Sequence, residues 1–210
     1  MKQKIKIICT LGPSSINKTF LKFSNKNVDL LRLNMSHLTT YQLEENIKKI
    51  RKFSKTPICI DTEGAQIRTK VKKKKFFKLN QIVHILQNNK GISLYPENVF
   101  DQIKTNDLLS VGFNNLVLKV INKKNKIKCK VISAGLIENN KGVHIVNRKI
   151  KLKFLTDKDF AAIEIGKKFK IKNYALSFTN SESDVSNFNK LLKDNKKIYK
   201  IETSQAIKNF

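Results

Sequence analysis

Three short apolar segments, each followed directly by polar residues, limit how this chain can fold. Residues 4–10, 28–33 and 58–60 are rich in Ile, Leu, Val or Cys and have the length of buried strands. Helical patterns separate them, above all residues 40–53, which follow a capping box that begins at Thr39. Strands that alternate with helices predict an α/β fold with a parallel sheet.

The polar cluster after the second segment, Arg32-Leu33-Asn34-Met35-Ser36-His37, is a candidate binding site. Side chains alternate along a strand, so Arg32, Asn34 and Ser36 should face the same way. A cation, an amide and a hydroxyl at the carboxyl end of a strand suit an anion and a hard metal ion. The alternative is an ordinary strand end with solvated polar residues, and this motif alone leaves both interpretations open.

The middle of the chain has a different pattern, with alternating residues, many turns and little sign of helix. We predict a small β domain inserted between two α/β parts. The predicted boundaries are 1–69 for the first three βα units, 70–146 for the inserted domain and 147–210 for the continuing, truncated part. The alternating sets are Ile82, His84 and Leu86; Leu116, Leu118 and Val120; and Ile127, Cys129 and Val131, with turns at Asn88-Asn89, Asn114-Asn115 and Asn139-Asn140.

Helical signals resume after residue 155. Thr156 and Asp159 resemble a cap pair, and residues 160–165 supply an apolar face. Gly166 is predicted to follow the end of this helix.

Two more predicted strands carry polar residues. One leads into Ser177, and the other, at 198–202, places Lys200 and Glu202 on one face. A Lys and a Glu two residues apart can also form a simple ion pair, and Asp61, after the third strand, can simply cap a turn. The residues alone leave these alternatives open.

The charge of the chain is strongly positive, with a formal net value of +27. Such a charge can indicate a nucleic-acid partner. Only four of the 43 basic residues are Arg, however, and nucleic-acid readers commonly use Arg for bidentate contacts. The scattered Lys residues favour mutational drift toward AT-rich codons instead.

The three Cys residues fit neither a disulfide framework nor a metal site, and no apolar run approaches the ~20 residues of a membrane span. We also find no secretory signal. A reduced, cytoplasmic setting without a membrane is expected.

Taken together, the motifs resemble the N-terminal part of the pyruvate kinase family. They occur in the family's order and spacing over the whole chain, although Ala65 and Gln66 stand where the family usually has Pro and Glu. The matching segments are residues 9–15, 32–37, 61–68, 141–143, 155–159, 177–178 and 200–202.

This resemblance implies an incomplete TIM (β/α)8-type barrel with an inserted small β-barrel domain that acts as a lid. It also implies phosphoryl transfer from phosphoenolpyruvate to ADP, giving pyruvate and ATP, with Mg²⁺ and K⁺ as cofactors. By resemblance, Arg32 would grip the phosphoryl group, and Lys200 would stabilise charge on it and on the forming enolate.

The resemblance also assigns the remaining site residues. The potassium ligands would be Asn34, Ser36, Asp61 and Thr62, and Glu202 would be a Mg²⁺ ligand. The residues near the substrate or the nucleotide phosphates would be Arg32, Asn34, His37, Arg68, Lys141 and Ser177.

The family barrel has eight βα units, whereas we predict five barrel strands here. Three explanations are open: a fragment of a longer product, a degraded gene, or a barrel completed by a second chain or by self-association. Two other functions also stay open. One is a non-catalytic phosphate- and potassium-binding remnant, and the other is a Lys-rich nucleic-acid binder, which the scarcity of Arg disfavours.

Overall fold

The structure is a computed structural model, and it describes residues 5–87, 91–112 and 116–209. The Asn88-Asn89 and Asn114-Asn115 turns lie outside these residues. The strands are β1 Ile8–Thr10, β2 Leu30–Asn34, β3 Ile58–Asp61, β4 Ile67–Lys70, β5 Lys75–Phe77, β6 Ile82–Ile85, β7 Ser93–Tyr95, β8 Leu108–Val111, β9 Leu116–Lys123, β10 Ile127–Ser133, β11 Gly135–Ile137, β12 Gly142–Ile145, β13 Asn173–Leu176 and β14 Lys196–Tyr199. The helices are α1 Lys18–Asn27, α2 Thr40–Phe53, α3 Val99–Gln102, α4 Asp157–Lys168, α5 Glu182–Leu191 and α6 Ser204–Asn209.

The chain forms two compact units. The first contains residues 1–65 and 153–210, and the second contains residues 66–152. No helix in the described part of the chain is long and apolar enough to cross a membrane.

A parallel sheet of five strands, in the order β1-β2-β3-β13-β14, forms the centre of the first unit. The apolar core on one face of this sheet includes side chains from α1, α2, α4 and α5, such as Leu21, Ile47, Ile163 and Phe188. The α/β class predicted from sequence is therefore confirmed. The Thr39/Gln42 capping box is also present at the start of α2.

The opposite face of the same sheet has a smaller apolar cluster of Leu30, Cys59 and Ala175, with Ile198 packed beside it. Ile8, at the β1 edge, is 51% exposed. Alternation along the strands puts Arg32 and Asp61 on this same face, two residues after Leu30 and Cys59 respectively and so nearer the carboxyl ends. The polar residues discussed below therefore lie on the face opposite the helix-covered core.

The second unit is built mainly of antiparallel strands. Seven of them form a sheet in the order β6-β10-β9-β8-β12-β4-β7, and β11 pairs with β5. The alternation in β9 and β10 was predicted correctly, since Leu118, Val120, Cys129 and Val131 are buried. In β6 the prediction was wrong: Val83 and Ile85 face the core and Ile82 is exposed.

Two details of the first unit also differ from the predictions. Gly166 lies inside α4 and not after it, and glycine is needed there because a side chain would collide with the Tyr174 hydroxyl and with Ile60. The last strand covers Lys196–Tyr199, so Lys200 and Glu202 follow the strand and do not lie on one of its faces.

Candidate active site

The carboxylate of Asp61, the last residue of β3, is completely buried and is the centre of the candidate site. Arg32 donates to its Oδ2 atom from Nε at 2.7 Å and also from Nη2. The Lys200 ammonium lies 3.1 Å from Oδ2. The Ser177 hydroxyl donates to Oδ1 at 3.0 Å. A buried carboxylate thus holds two cations side by side, which offsets the cost of its own burial.

The register of the parallel strands explains why these residues meet. Asn34 is paired with Asp61, and Asp61 is paired with Ala175, two residues before Ser177. The backbone N–H of Lys200 donates to Leu176 O at 3.0 Å and continues the pairing of β13 with β14. Each side chain therefore lies at the carboxyl end of a neighbouring strand, the place where open α/β sheets bind ligands.

Lys200 has two further polar neighbours. Its Nζ atom lies 2.8 Å from Ser177 Oγ and 3.4 Å from a carboxylate oxygen of Glu202. Glu202 in turn accepts a hydrogen bond from the Phe178 N–H at 3.1 Å. The structure thus brings five of the predicted residues together: Arg32, Asp61, Ser177, Lys200 and Glu202.

Arg32 has a partner that the sequence did not point out. Its Nη1 atom donates to Thr10 Oγ1 at 2.7 Å. Thr10 is paired with Arg32 across β1 and β2, so the contact depends on strand register. The only signal in the sequence was a hydroxyl residue at the carboxyl end of the first apolar segment.

The oxygens proposed for potassium have other contacts here. Asn34 Oδ1 accepts the Ser36 N–H at 3.0 Å, and Thr62 Oγ1 accepts the Ser177 N–H at 3.0 Å. Both oxygens of Asp61 accept hydrogen bonds, and Lys200 lies within 3.4 Å of each. The oxygen types suit a hard cation, and Arg32 and Lys200 already contact the Asp61 carboxylate.

Glu202 fits a single position in a Mg²⁺ shell, because it is a partly exposed carboxylate at the edge of the cluster. Among residues 5–87, 91–112 and 116–209, no group of three or more His, Cys, Asp or Glu side chains is arranged to hold a metal ion. Substrate and water would have to supply the other ligands.

Asp159 supports the loop after β3, a role that its prediction as a helix cap did not include. Its buried carboxylate accepts the N–H groups of Glu63 at 2.6 Å, Gly64 at 3.0 Å and Thr156 at 3.0 Å. Burial raises the pKa of Asp159, and the backbone hydrogen bonds act in the opposite direction. Beside it, Lys158 Nζ lies 2.9 Å from a Glu63 carboxylate oxygen. The loop that begins at Asp61 is therefore fixed from α4.

The other predicted phosphate-contacting residues have separate positions. His37 is exposed at the turn after β2. Arg68 and Lys141 belong to the second unit, where Arg68 is paired with Gly142, the neighbour of Lys141. Lys141 Nζ lies 3.3 Å from a Glu138 carboxylate oxygen. Within the second unit, Arg68 thus lies in β4, and Lys141 directly precedes β12, the strand that pairs with β4.

Comparison with known proteins identifies the family of this chain. The family model described as pyruvate kinase, barrel domain, matches residues 2–210. The chain belongs to the pyruvate kinase family. It is 31% identical to the pyruvate kinase of Staphylococcus epidermidis and 30% identical to that of Staphylococcus aureus, in each case over 99% of this chain. It spans 39% of the length of these pyruvate kinases.

Proposed function

We propose that this chain takes part in phosphoryl transfer from phosphoenolpyruvate to ADP. The observation that supports the proposal is the convergence of Arg32 and Lys200 on Asp61, at the carboxyl ends of neighbouring parallel strands. A phosphoryl group carries its negative charge on several oxygens, and preorganised cations are the main catalytic groups such a transfer needs. Membership of the pyruvate kinase family supports this reaction class.

In this proposal the substrate phosphoryl group competes with Asp61 for the two cations. Arg32 would bind it through its planar guanidinium, and Lys200 would neutralise charge as the enolate forms. Ser177 lies within hydrogen-bonding distance of both Asp61 and Lys200, so its hydroxyl would orient the ammonium. Asp61 would then serve as the counter-ion that keeps both cations in place before substrate binds.

The remaining assignments are proposed from the resemblance to the family. Glu202 would hold Mg²⁺, which supplies positive charge to the phosphate oxygens, and Asn34, His37, Arg68 and Lys141 would contact nucleotide phosphates. Potassium binding by Asn34, Ser36, Asp61 and Thr62 stays a prediction, and so does a cytoplasmic location.

We further propose that the five parallel strands are part of a TIM-type barrel and that residues 70–146 form its inserted lid. The sheet has two outer strands, β1 and β14, with no further partner strand in the described residues. Ile7 and Ile8 are about half exposed at the β1 end, and Ile201 is 45% exposed beyond β14. Further strands, from a longer chain or a partner chain, would cover these apolar side chains. They would also cover the face of the sheet that carries Leu30, Cys59 and Ala175.

A coupled assay for pyruvate formation, with phosphoenolpyruvate, ADP, Mg²⁺ and K⁺, tests catalysis. The assay uses the chain alone and the chain mixed with a separately produced C-terminal part of a relative.

Calorimetry with phosphoenolpyruvate tests binding separately. Arg32→Ala should abolish the binding heat, and Lys190→Ala, on the exposed side of α5, should leave it unchanged. Equal heats for the two variants would contradict the proposed site.

Binding without turnover under all these conditions would favour the non-catalytic phosphate-binding alternative. A nucleic-acid role has less support, because all four Arg side chains contact groups of the protein. Arg32 contacts Asp61, Arg51 contacts Phe169 O, Arg68 contacts Asn140 O and Arg148 contacts Asp107. An association constant for DNA that falls steeply as the salt concentration rises would support a nucleic-acid role.

A further inference from the structure

A cavity of about 640 Å³ lies at the end of the parallel sheet opposite the candidate active site. It is lined by Ile58, Asn173 and Lys196, the first residues of β3, β13 and β14. Asp61, Ser177 and Lys200 lie at or just beyond the other ends of these strands. A four-residue strand spans roughly 10 Å, so the two sites are separate. All residues of the cavity belong to the first unit.

The lining of this cavity carries five cations and, among the described residues, no Asp or Glu. None of the five forms an ion pair within the described part of the chain. A concave site lined by charges of one sign concentrates the electrostatic field and attracts counter-ions. The five residues are Arg51, Lys55, Lys170, Lys172 and Lys196.

Arg51 is held in place at this cavity. Its Nη2 atom donates to the Phe169 backbone carbonyl, and its guanidinium lies 5.7 Å from the centre of the Phe169 ring. Its Nε and Nη1 atoms have no partner among the described residues. A guanidinium fixed on one side, with donors left on the other, is suited to phosphate oxygens.

The rest of the lining is uncharged, with polar residues Ser54, Thr56 and Asn173 and apolar residues Pro57, Ile58 and Ile171. Ser54 and Thr56 are buried and hydrogen-bonded to each other at 3.0 Å, so they give the cavity a rigid floor. Asn173 is held by a hydrogen bond of 3.3 Å from its amide to Ile58 O. The five cations therefore share the cavity with fixed polar side chains and with three apolar residues.

The geometry points to a second anion site that takes a small ligand with clustered phosphate groups, such as an oligophosphate or a phosphorylated metabolite with several phosphates. The concave shape favours a compact polyanion over the extended backbone of a nucleic acid. Mutual repulsion of the five cations makes the empty site unfavourable, so a bound polyanion should also stabilise the fold. This site is independent of the proposed phosphoryl transfer.

The test uses the full chain and sodium tripolyphosphate, with calorimetry and thermal unfolding as readouts. The double variant Lys55→Gln/Lys172→Gln removes two exposed cations of the cavity and should weaken binding roughly tenfold, which corresponds to about 1.4 kcal/mol. The matched control is Lys22→Gln/Lys190→Gln, which removes the same charge from exposed positions of α1 and α5, and it should change binding less than about twofold.

Two further variants separate this site from the candidate active site and from general charge attraction. Arg32→Ala should leave unchanged the tripolyphosphate binding that the Lys55→Gln/Lys172→Gln variant weakens, whereas Arg51→Lys, which keeps the charge and loses the planar fork, should weaken it. Absence of binding, equal losses in the two double variants, or loss of this same binding in Arg32→Ala would overturn the inference. Tighter binding of a single-stranded oligonucleotide that depends on Lys55 and Lys172 would overturn the choice of a small ligand.

Discussion

Gly64 lies directly against the backbone of Ser177, where the loops after β3 and β13 meet. A Cβ atom added to Gly64 would overlap the Ser177 carbonyl, and Gly64 has a φ angle of +69°. Both the close approach and the positive φ angle require glycine. This contact fixes the separation of two loops that bring Asp61 and Ser177 within hydrogen-bonding distance.

Gly64→Ala should therefore lower the free energy of unfolding and disturb the candidate site together. The backbone conformation alone should cost roughly 1–3 kcal/mol, and the overlap with Ser177 adds to this. Urea unfolding followed by circular dichroism measures the change. Gly12→Ala is the control, because a Cβ atom there meets nothing within 4 Å. Similar losses for both variants would mean that the Gly64 contact has no special role.

Asp159→Asn should destabilise the loop that carries Asp61. Three N–H groups converge on the carboxylate, whereas an amide offers one acceptor oxygen and a donor. A buried N–H left without a partner costs about 1–3 kcal/mol, and we expect a loss of that size in urea unfolding. Asp157→Asn, on an exposed residue of the same helical turn, should change stability by less than about 0.5 kcal/mol. Equal values for the two variants would count against the anchoring role of Asp159.

Arg148 and Asp107 should make the second unit sensitive to acid. Burial raises the pKa of Asp107, but hydrogen bonds from Arg148 and from the Lys104 N–H outweigh it, and the net pKa is below the ordinary value of 3.8. A carboxyl group with a lowered pKa in the folded state adds stability above its unfolded pKa. This stability is lost as the pH falls through the lower folded value.

Arg148→Gln should therefore cost about 1–3 kcal/mol at pH 7, because a buried carboxylate loses its main partner. The difference from the parent chain should shrink as the pH is lowered toward 3, in urea unfolding at a series of pH values. Lys141→Gln, which removes only a partly exposed ion pair with Glu138, should have little effect at either pH. A pH-independent difference for Arg148→Gln would contradict the assigned cause.

The three thiols should differ in reactivity. Burial raises the pKa of Cys59 and of Cys129 to about 12, and the nearby Asp61 carboxylate adds to the effect at Cys59. At pH 8 a thiol reagent should modify partly exposed Cys9 first, and Cys59 and Cys129 only after unfolding. Cys9→Ser should remove the fast phase. Equal rates for all three thiols in the folded chain would contradict the burial.

Local signals in the sequence predicted most of the first unit. The boundaries of α2 follow from its capping box and its apolar spacing, and the structure reproduces them. Gly166 was misplaced because its close contact with Tyr174 depends on packing between α4 and the sheet. The β6 prediction failed because a stretch with Val83 and Ile85 between Ile82 and Leu86 is apolar on both faces, so alternation cannot choose the buried one.

The residues of the candidate site were found from motifs at strand ends, but their contacts were not. Lys200 and Asp61 are 139 positions apart, and only the pairing order of β3, β13 and β14 brings them together. Asp159 was predicted as a cap because its spacing to Thr156 is local. Its bonds to Glu63 and Gly64 are long-range, so no periodic pattern in the sequence could reveal them.

The Asp61–Ser177 hydrogen bond has a consequence for synthesis of the chain. A ribosome delivers Arg32 and Asp61 well before Ser177 and Lys200, and the whole of residues 66–152 emerges in between. Until the later residues are made, the Asp61 carboxylate lacks its contacts with Ser177 and Lys200. The edge of β3 that pairs with β13 also stays open. The early part of the product is then at its most vulnerable to proteases and to wrong pairing, and a translational pause after Leu176 would prolong that exposure.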